Sequence, residues 1–325
     1  MHVLITGGAG FIGSHLVEYH LGRGDHVHVV DNLSTGSRKN ILPYLEHPEF
    51  RFTQEDVLTW SDLEKTVGWA DRIYHMAAVV GVFRVLEAPI QVLATNIAAC
   101  ERLLRAAAHC GWRPQVVIAS SSEVYGPQGR IALHEELPLV ITPGAPPRWN
   151  YAISKLADEA FGISFARQHD IPVAVVRLFN TVGPRQTGRY GMVVPRFVHQ
   201  ALRGEDLTIF GDGQQTRSFI DVRDTVIFLD QLAARAPHEG LICNVGHDAE
   251  ITIEALARRV LERSNSSSRL RFLSYEEAYG QVYEDIPHRC PSTARLHAFT
   301  THRPTWSLDA TLDDLIARLR IEEEG

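Results

Sequence analysis

Through the first half of the chain, short and almost wholly apolar runs alternate with longer stretches whose apolar positions recur every three or four residues. The short runs predict strands at residues 2–5, 26–30, 50–53, 72–75, 115–119 and 173–178. The longer stretches predict helices at 11–21, 58–67, 89–110 and 151–169. Strands this uniformly apolar are covered on both faces. Their alternation with helices implies right-handed crossovers and an α/β fold built on a doubly wound parallel sheet.

The texture changes after Phe179. Residues 180–190 are rich in Gly, Arg, Thr and Pro and read as an ordered loop. A helix is expected at 192–203, a strand at 207–210, a turn at 211–215, a helix at 221–234 and a strand at 241–245. Thr252 opens a further helix over 253–264. We therefore expect a first lobe over 1–179, with segments at about 214–245 returning to it. A smaller second lobe would comprise 180–213 and 246–325. No internal repeat is visible, and the serine-rich 264–268 reads as a surface turn.

Composition narrows the classes. Of 325 residues, 45% are hydrophobic and 22% charged, ordinary values for a soluble globular enzyme. The net charge of −7 gives no electrostatic reason to expect nucleic acid or an anionic membrane as partner. Cys100, Cys110, Cys243 and Cys290 form no C-x-x-C pair, so neither a metal site nor a disulfide framework is expected. A reducing cytoplasm is the simplest reading. The amino terminus runs straight into a strand, leaving no room for a signal peptide, and no apolar run approaches the roughly 20 residues of a membrane helix.

The richest chemistry lies at the start. Residues 3–13 read Val-Leu-Ile-Thr-Gly-Gly-Ala-Gly-Phe-Ile-Gly, a strand feeding a glycine-rich turn and a helix. Gly7 permits the tight turn, Gly10 admits a pyrophosphate close to the backbone, and Gly13 lets the helix pack on the strand. The helix amino terminus then offers free N–H groups to the phosphate. The next strand ends in Asp31, whose carboxylate suits ribose hydroxyls and repels a 2′-phosphate, so the expected cofactor is NAD and the sheet is of Rossmann type.

A second constellation follows. Tyr151 and Lys155, four residues apart, share one face of a helix. The lysine charge lowers the phenol pKa, so Tyr151 can act as a base, and Lys155 can also hold a nicotinamide ribose. Ser120-Ser121-Ser122-Glu123 sits at the carboxyl end of a strand, where ligands bind in open α/β sheets. A hydroxyl there can bridge the tyrosine and a substrate hydroxyl.

Taken together, these motifs make the chain resemble an extended short-chain dehydrogenase/reductase of the nucleotide-sugar epimerase/dehydratase family, nearly end to end. The resemblance is carried by Thr6 to Gly13, Asp31-Asn32-Leu33, Asp56-Val57, His75-Met76-Ala77-Ala78, Ser121, Tyr151 with Lys155, Arg177 to Asn180, and Val182-Gly183-Pro184. Met76 stands where the family usually has Leu. The resemblance implies cofactor contacts from Phe11, Ile12, Asn32, Asn96, Asp56 and Val57 (the last two at the adenine), with Ala77 and Ala78 near the nicotinamide. It makes Tyr151 the base, Lys155 its partner and Ser121 the hydrogen-bonding group at the reacting sugar hydroxyl. Asn180, Arg217 and Arg289 would contact a nucleotide-diphosphate sugar, Arg supplying bidentate forks for phosphate. Family members often pair helices 89–110 and 151–169 across a two-fold axis. These carry Ile97, Leu103, Leu104, Ala160 and Ile163 at helical spacing, so a C₂ homodimer is expected.

The family's shared chemistry begins with oxidation at sugar C4, and its branches then differ. Dehydratases acting on dTDP-glucose show Asp-Glu where this chain has Ser122-Glu123. Ser-Glu resembles UDP-glucuronate decarboxylases and GDP-mannose 4,6-dehydratases, and Arg148-Trp149 leading into Tyr151 resembles bacterial UDP-glucuronate decarboxylases and plant UDP-apiose/UDP-xylose synthases. Arg148 and Ser122 are thus expected at the sugar, with Glu123 controlling protonation. The favoured reading is a UDP-glucuronate decarboxylase-like activity. A UDP-sugar 4-epimerase is the alternative, a 4,6-dehydratase the third, and a non-catalytic NAD-binding regulator the reading from another class.

Overall fold

The structure is a computed structural model. It describes residues 1–141, 149–188, 192–280 and 285–324. Seven parallel strands form the central sheet: β1 (His2–Thr6), β2 (His26–Val30), β3 (Phe50–Thr53), β4 (Arg72–His75), β5 (Gln115–Ser121), β6 (Val173–Leu178) and β11 (Leu241–Val245). Their spatial order is β11-β6-β5-β4-β1-β2-β3. The chain winds one way from β1 to β3 and the other way from β4 outward, so the crevice at the carboxyl ends of β1 and β4 is the topological switch point.

Apolar cores cover both faces of this sheet. On one face α1 (Phe11–Leu21) and α7 (Val222–Ala234) bury Leu16, Val17, Phe228 and Leu229 against Val3, Ile5 and Val176. On the other, α2 (Leu63–Val67), α4 (Pro89–His109) and α5 (Trp149–His169) bury Leu63, Leu103, Leu104 and Ala166 against Leu4, Ile73, Ile118 and Val175. A short helix, α3 (Val82–Glu87), precedes α4. The sheet strands fall within two residues of the expected bounds. The helix expected at 58–67 starts only at Leu63. Asp56 instead organises a turn there, its carboxylate accepting from Leu58 N at 2.9 Å and its carbonyl from Trp60 N at 2.8 Å.

The second lobe is built from small pieces. Strand β7 (Thr181–Val182) pairs with β10 (Ile220–Asp221), and β8 (Leu207–Phe210) with β13 (Leu270–Leu273). Strand β9 (Thr216–Ser218) lies between β12 (Glu250–Thr252) and β14 (His288–Arg289). Helices α6 (Val193–Leu202), α8 (Ile253–Ser264) and α11 (Leu308–Glu324) bury Phe197, Val198, Leu256, Val260, Leu312 and Ile316 together. Thr252 caps α8, its hydroxyl accepting from Ala255 N. The short α9 (Tyr275–Tyr279) closes this lobe over the cleft, while α10 (Ala294–Phe299) places Leu296 in the first lobe's core. Within 214–245, α7 and β11 belong to the central sheet's layers, and β9 belongs to the three-stranded sheet of the second lobe.

Candidate functional site

A long groove crosses the carboxyl ends of β1, β2, β4 and β5 and opens into a second cavity between the lobes. At its centre Gly7 turns the chain with φ +72, and a Cβ there would sit 2.6 Å from Ala77 N. A Cβ on Gly13 would lie 2.2 Å from Gly7 O, so α1 can pack this closely only without a side chain. Gly10 precedes α1 and gives it no side-chain cap. The first N–H groups of α1 therefore face the groove, as an anion site requires. Phe11, Ile12, Asn32, Asp56, Val57, Ala77, Ala78 and Asn96 all line the same groove.

Asp31 directly follows β2 and is buried. Its Oδ2 accepts from Ala9 N at 2.9 Å and its Oδ1 from Leu33 N at 2.8 Å. Burial pushes its carboxyl up, and these two N–H groups pull it back. The contacts fix the carboxylate in the groove wall between the glycine turn and the loop after β2. Asn32 donates to Asp56 Oδ2 at 2.9 Å, closing that end of the groove. Arg102 of α4 donates to the carbonyls of Val57 and Trp60 and braces that wall from behind. Asn96 uses its amide on Val79 N (2.7 Å), Val79 O (3.2 Å) and Ser154 Oγ (3.1 Å), tying the loop after β4 to α4 and α5.

The groove ends on Tyr151, Lys155 and Ser121. Tyr151 lines both the groove and the inter-lobe cavity. Ser121 lines the same groove beside it, its hydroxyl accepting from Glu123 N at 3.2 Å. The phenol pKa is raised, burial being the largest cause. The Lys155 charge and the Ser121 hydroxyl pull it down, while Glu123 and Asp158 push it up. The lysine effect anticipated from the sequence is present, and burial outweighs it. Lys155 is 1% exposed, with Nζ 2.9 Å from Asp158 Oδ2 one helical turn on. Behind this cluster, Arg177 of β6 grips Glu159 through Nε at 2.9 Å and Nη2 at 2.7 Å, and Ser120 donates to the same carboxylate at 2.6 Å.

The inter-lobe cavity holds the remaining candidates. Glu123 Oε1 lies 3.6 Å from Arg289 Nη1. Arg289 Nη2 donates to Asn180 Oδ1 at 2.8 Å, and Asn180 Nδ2 donates to Ser218 O at 2.8 Å. Arg217 is held by Asp285, both carboxylate oxygens lying 2.9 Å from Nη2, and Tyr275 donates to the same carboxylate at 2.8 Å. Ser122, expected at the sugar, begins the short turn after β5, is 2% exposed and lines the long groove but not the inter-lobe cavity. Arg148 lies outside the described residues.

Several cavity residues were not anticipated. Arg196 of α6 stacks on Phe210, its guanidinium 3.8 Å from the ring centroid, and donates to Thr208 O at 3.0 Å. Met192, Val193, Gln215, Tyr275 and Asp285 complete that wall. The one local signal near them was Ser274-x-x-Glu277, which forms a capping box and starts α9 beside the cavity. Among the described residues no group of three His, Cys, Asp or Glu side chains gathers as a metal site, and no helix is long and apolar enough to cross a membrane.

Comparison with known proteins agrees with this geometry. The profile of the NAD dependent epimerase/dehydratase family matches residues 3–246. A UDP-N-acetyl-alpha-D-glucosaminuronate decarboxylase of Bacillus cytotoxicus is 34% identical, covering 98% of this chain and 97% of that protein. A UDP-glucuronic acid decarboxylase of Xenopus tropicalis is 33% identical over 99% of this chain and 73% of its own length. Among solved structures, the Bacillus cereus UDP-glucuronic acid 4-epimerase in complex with UDP-glucuronic acid and NAD superposes with a TM-score of 0.86. It is 28% identical, over 98% of this chain and all of that one.

Proposed function

This chain belongs to the NAD-dependent epimerase/dehydratase family, and within it we propose that the protein decarboxylates a UDP-linked uronate through a transient 4-keto sugar. The observation that carries this reading is the placement of Glu123 between Tyr151 and Arg289, where the cofactor groove meets the inter-lobe cavity. The two relatives named as uronate decarboxylases support it.

Bound NAD supplies the acceptor, and later the donor, of the hydride at sugar C4. The fit for it is the cradle of Gly7, Gly10 and Gly13 with Asp31 at its adenosine end. Tyr151 takes the proton of the C4 hydroxyl, and Ser121 bridges phenol and sugar. The C4 ketone makes the C5 carboxylate a β-keto acid. The C5–C6 bond breaks, its electrons enter a C4–C5 enolate, and carbon dioxide leaves. Tyr151 and Ser121 hold the enolate oxygen by hydrogen bonds. Glu123 governs the proton that C5 then receives, and Tyr151 returns its proton to the C4 oxygen as the hydride comes back. Asn180, Arg217 and Arg289 hold the diphosphate and sugar, and Arg148 is assigned to the uronate carboxylate.

A 4-epimerase would use the same Tyr151, Ser121 and Lys155, and the fold shared with the Bacillus cereus epimerase supports that second reading. A dehydratase of the dTDP-glucose type is disfavoured because Ser122 stands where its acid would be, beside Glu123. A regulator without turnover would have no use for the intact trio. The exposed Ile90 and Ile153 on α4 and α5 support a C₂ homodimer through these helices, whereas Leu103 and Leu104 are consumed by the chain's own core. Four free cysteines support a cytoplasmic location.

The deciding experiment incubates purified protein with UDP-glucuronate, its 2-acetamido counterpart, UDP-glucose and dTDP-glucose, and weighs the products. Loss of carbon dioxide from a uronate is expected. Interconversion without mass change installs the epimerase, and loss of water the dehydratase.

A further inference from the structure

Asp158 has no part in the roles assigned so far, yet it is fully buried beside the lysine that supports the base. Its Oδ2 accepts from Lys155 Nζ at 2.9 Å, with side-chain exposures of 0% and 2%. The spacing is one turn of α5, so the contact is built into the helix and needs no loop to hold it. Among the described residues its other oxygen, Oδ1, is buried without a hydrogen-bond partner; burial pushes the carboxyl up, and Lys155, with a smaller contribution from the Cys100 thiol, pulls it back toward the ionised form.

The surroundings are explicit. Lys155 is faced by His75 from β4 and Cys100 from α4, and by Tyr151 and Asp158 of its own helix. His75 is driven down to about 3 by burial and the Lys155 charge, so it is neutral and adds no cation. Burial holds the Cys100 thiol protonated beside Asp158. Glu159, next in sequence, is spent on Arg177 and Ser120. Tyr151 meets Glu123 from the turn after β5, Ser121, Lys155 and Asp158. Among the described residues, the buried carboxylate that bears on lysine and phenol together is therefore Asp158.

We propose that Asp158, acting through Lys155, sets how tightly Tyr151 holds its phenolic proton, and is a positioning residue for proton transfer at C4. The electrostatics follow from counting charges. With Asp158 ionised, losing the phenolic proton takes the Tyr151–Lys155–Asp158 group from neutral to −1. Without that carboxylate the same loss takes it from +1 to neutral, which is easier in a buried site. Asp158 thus keeps the proton on the pair. That suits a base which must give its proton back when C4 is reduced, and it keeps Lys155 a cation despite burial. This inference rests on the assignment of Tyr151 as base, and not on which sugar is turned over.

The test is the ionisation of Tyr151 itself, read as near-ultraviolet phenolate absorbance of the NAD-loaded protein, with the Tyr151→Phe protein as background. In Asp158→Asn, which keeps the shape of the side chain, the Tyr151 phenolate should appear about one pH unit or more below its wild-type value. Asp158→Glu should restore much of the wild-type titration. Once a substrate is known, the acid limb of kcat/KM should move down by a similar amount in Asp158→Asn. A merely structural role would lower kcat and leave both titrations in place. Phenolate appearing at the same or higher pH in Asp158→Asn overturns the proposal. The absorbance decides it even if no nucleotide sugar is consumed, so a wrong substrate assignment and a wrong role for Asp158 give different results.

Discussion

Glu123 Oε1 stands 3.6 Å from Arg289 Nη1, and the two residues come from opposite lobes. Glu123 follows β5 at the carboxyl edge of the central sheet, and Arg289 ends β14 in the second lobe's sheet. Both are partly exposed to the cavity, so the pair is loose enough to open for a ligand carrying its own anion. Asn180 holds Arg289 from the side at 2.8 Å, so the guanidinium stays aimed when its carboxylate partner is displaced.

Replacing Glu123 by Gln removes its charge and its ability to carry a proton while keeping its size. Turnover of a uronate should fall by roughly 10²–10⁴-fold, the range of a lost acid–base group. The early oxidation at C4 would survive, so reduced-nicotinamide absorbance and a 4-keto product should accumulate. Mass analysis of the products checks this. Normal product at a normal rate would make Glu123 a bystander.

Tyr151→Phe should cost roughly 10²–10⁴-fold in kcat while circular dichroism and NAD binding persist. Lys155→Met works in the opposite sense to Asp158→Asn. The cation that pulls the phenol down is lost, burial still pushes it up, and the acid limb of the pH profile should move upward. A downward move in Lys155→Met would reverse the assigned electrostatics.

Much of this was legible in the chain because it is local. The glycine turn, Asp31, and Tyr151 with Lys155 are fixed by spacing within single elements, and the sheet strands were marked by runs of apolar residues. What escaped depends on partners far apart in sequence. Arg196 stacks on Phe210, and Asp285 takes Arg217, across turns that leave no periodic signal. The late start of α2 was hidden because Asp56 and Trp60 follow a helix-compatible pattern while the Asp56 carboxylate holds a turn. Asp158 was visible as a letter, but its meaning depended on burial.

Gly13→Ala should abolish cofactor retention. Its Cβ would sit 2.2 Å from Gly7 O, so the turn must shift away from the pyrophosphate position. The effect should appear as loss of copurified NAD with a folded protein. Asp31→Ser should erode the preference for NAD over NADP. It should also loosen the glycine turn, because Ala9 N would lose its acceptor. Equal affinity for the two nucleotides in the unmodified protein would remove Asp31 as the discriminator.

Acid should unfold this protein through its buried histidines. His15 and His28 are both lowered from 6.5 to about 4, burial being the main cause, helped by Arg185 and Arg51 respectively. The folded state thus holds them neutral, and the unfolded chain binds the extra protons. Their contribution is complete above pH 6.5 and is lost as the pH falls toward 4, by on the order of 3 kcal/mol each. The urea midpoint should therefore drop steeply across that interval. His28 packs edge-on against Trp60 and Trp69 and meets Thr53 Oγ1 at 2.8 Å. His28→Leu forfeits the Thr53 contact, which should cost about 1 kcal/mol near neutral pH. It also removes one titrating group, so the midpoint of the variant should fall less between pH 6.5 and 4 than that of the parent. Parallel curves for the two proteins would mean that His28 already carries a proton in the fold, and that its place against the two tryptophans is held by packing alone.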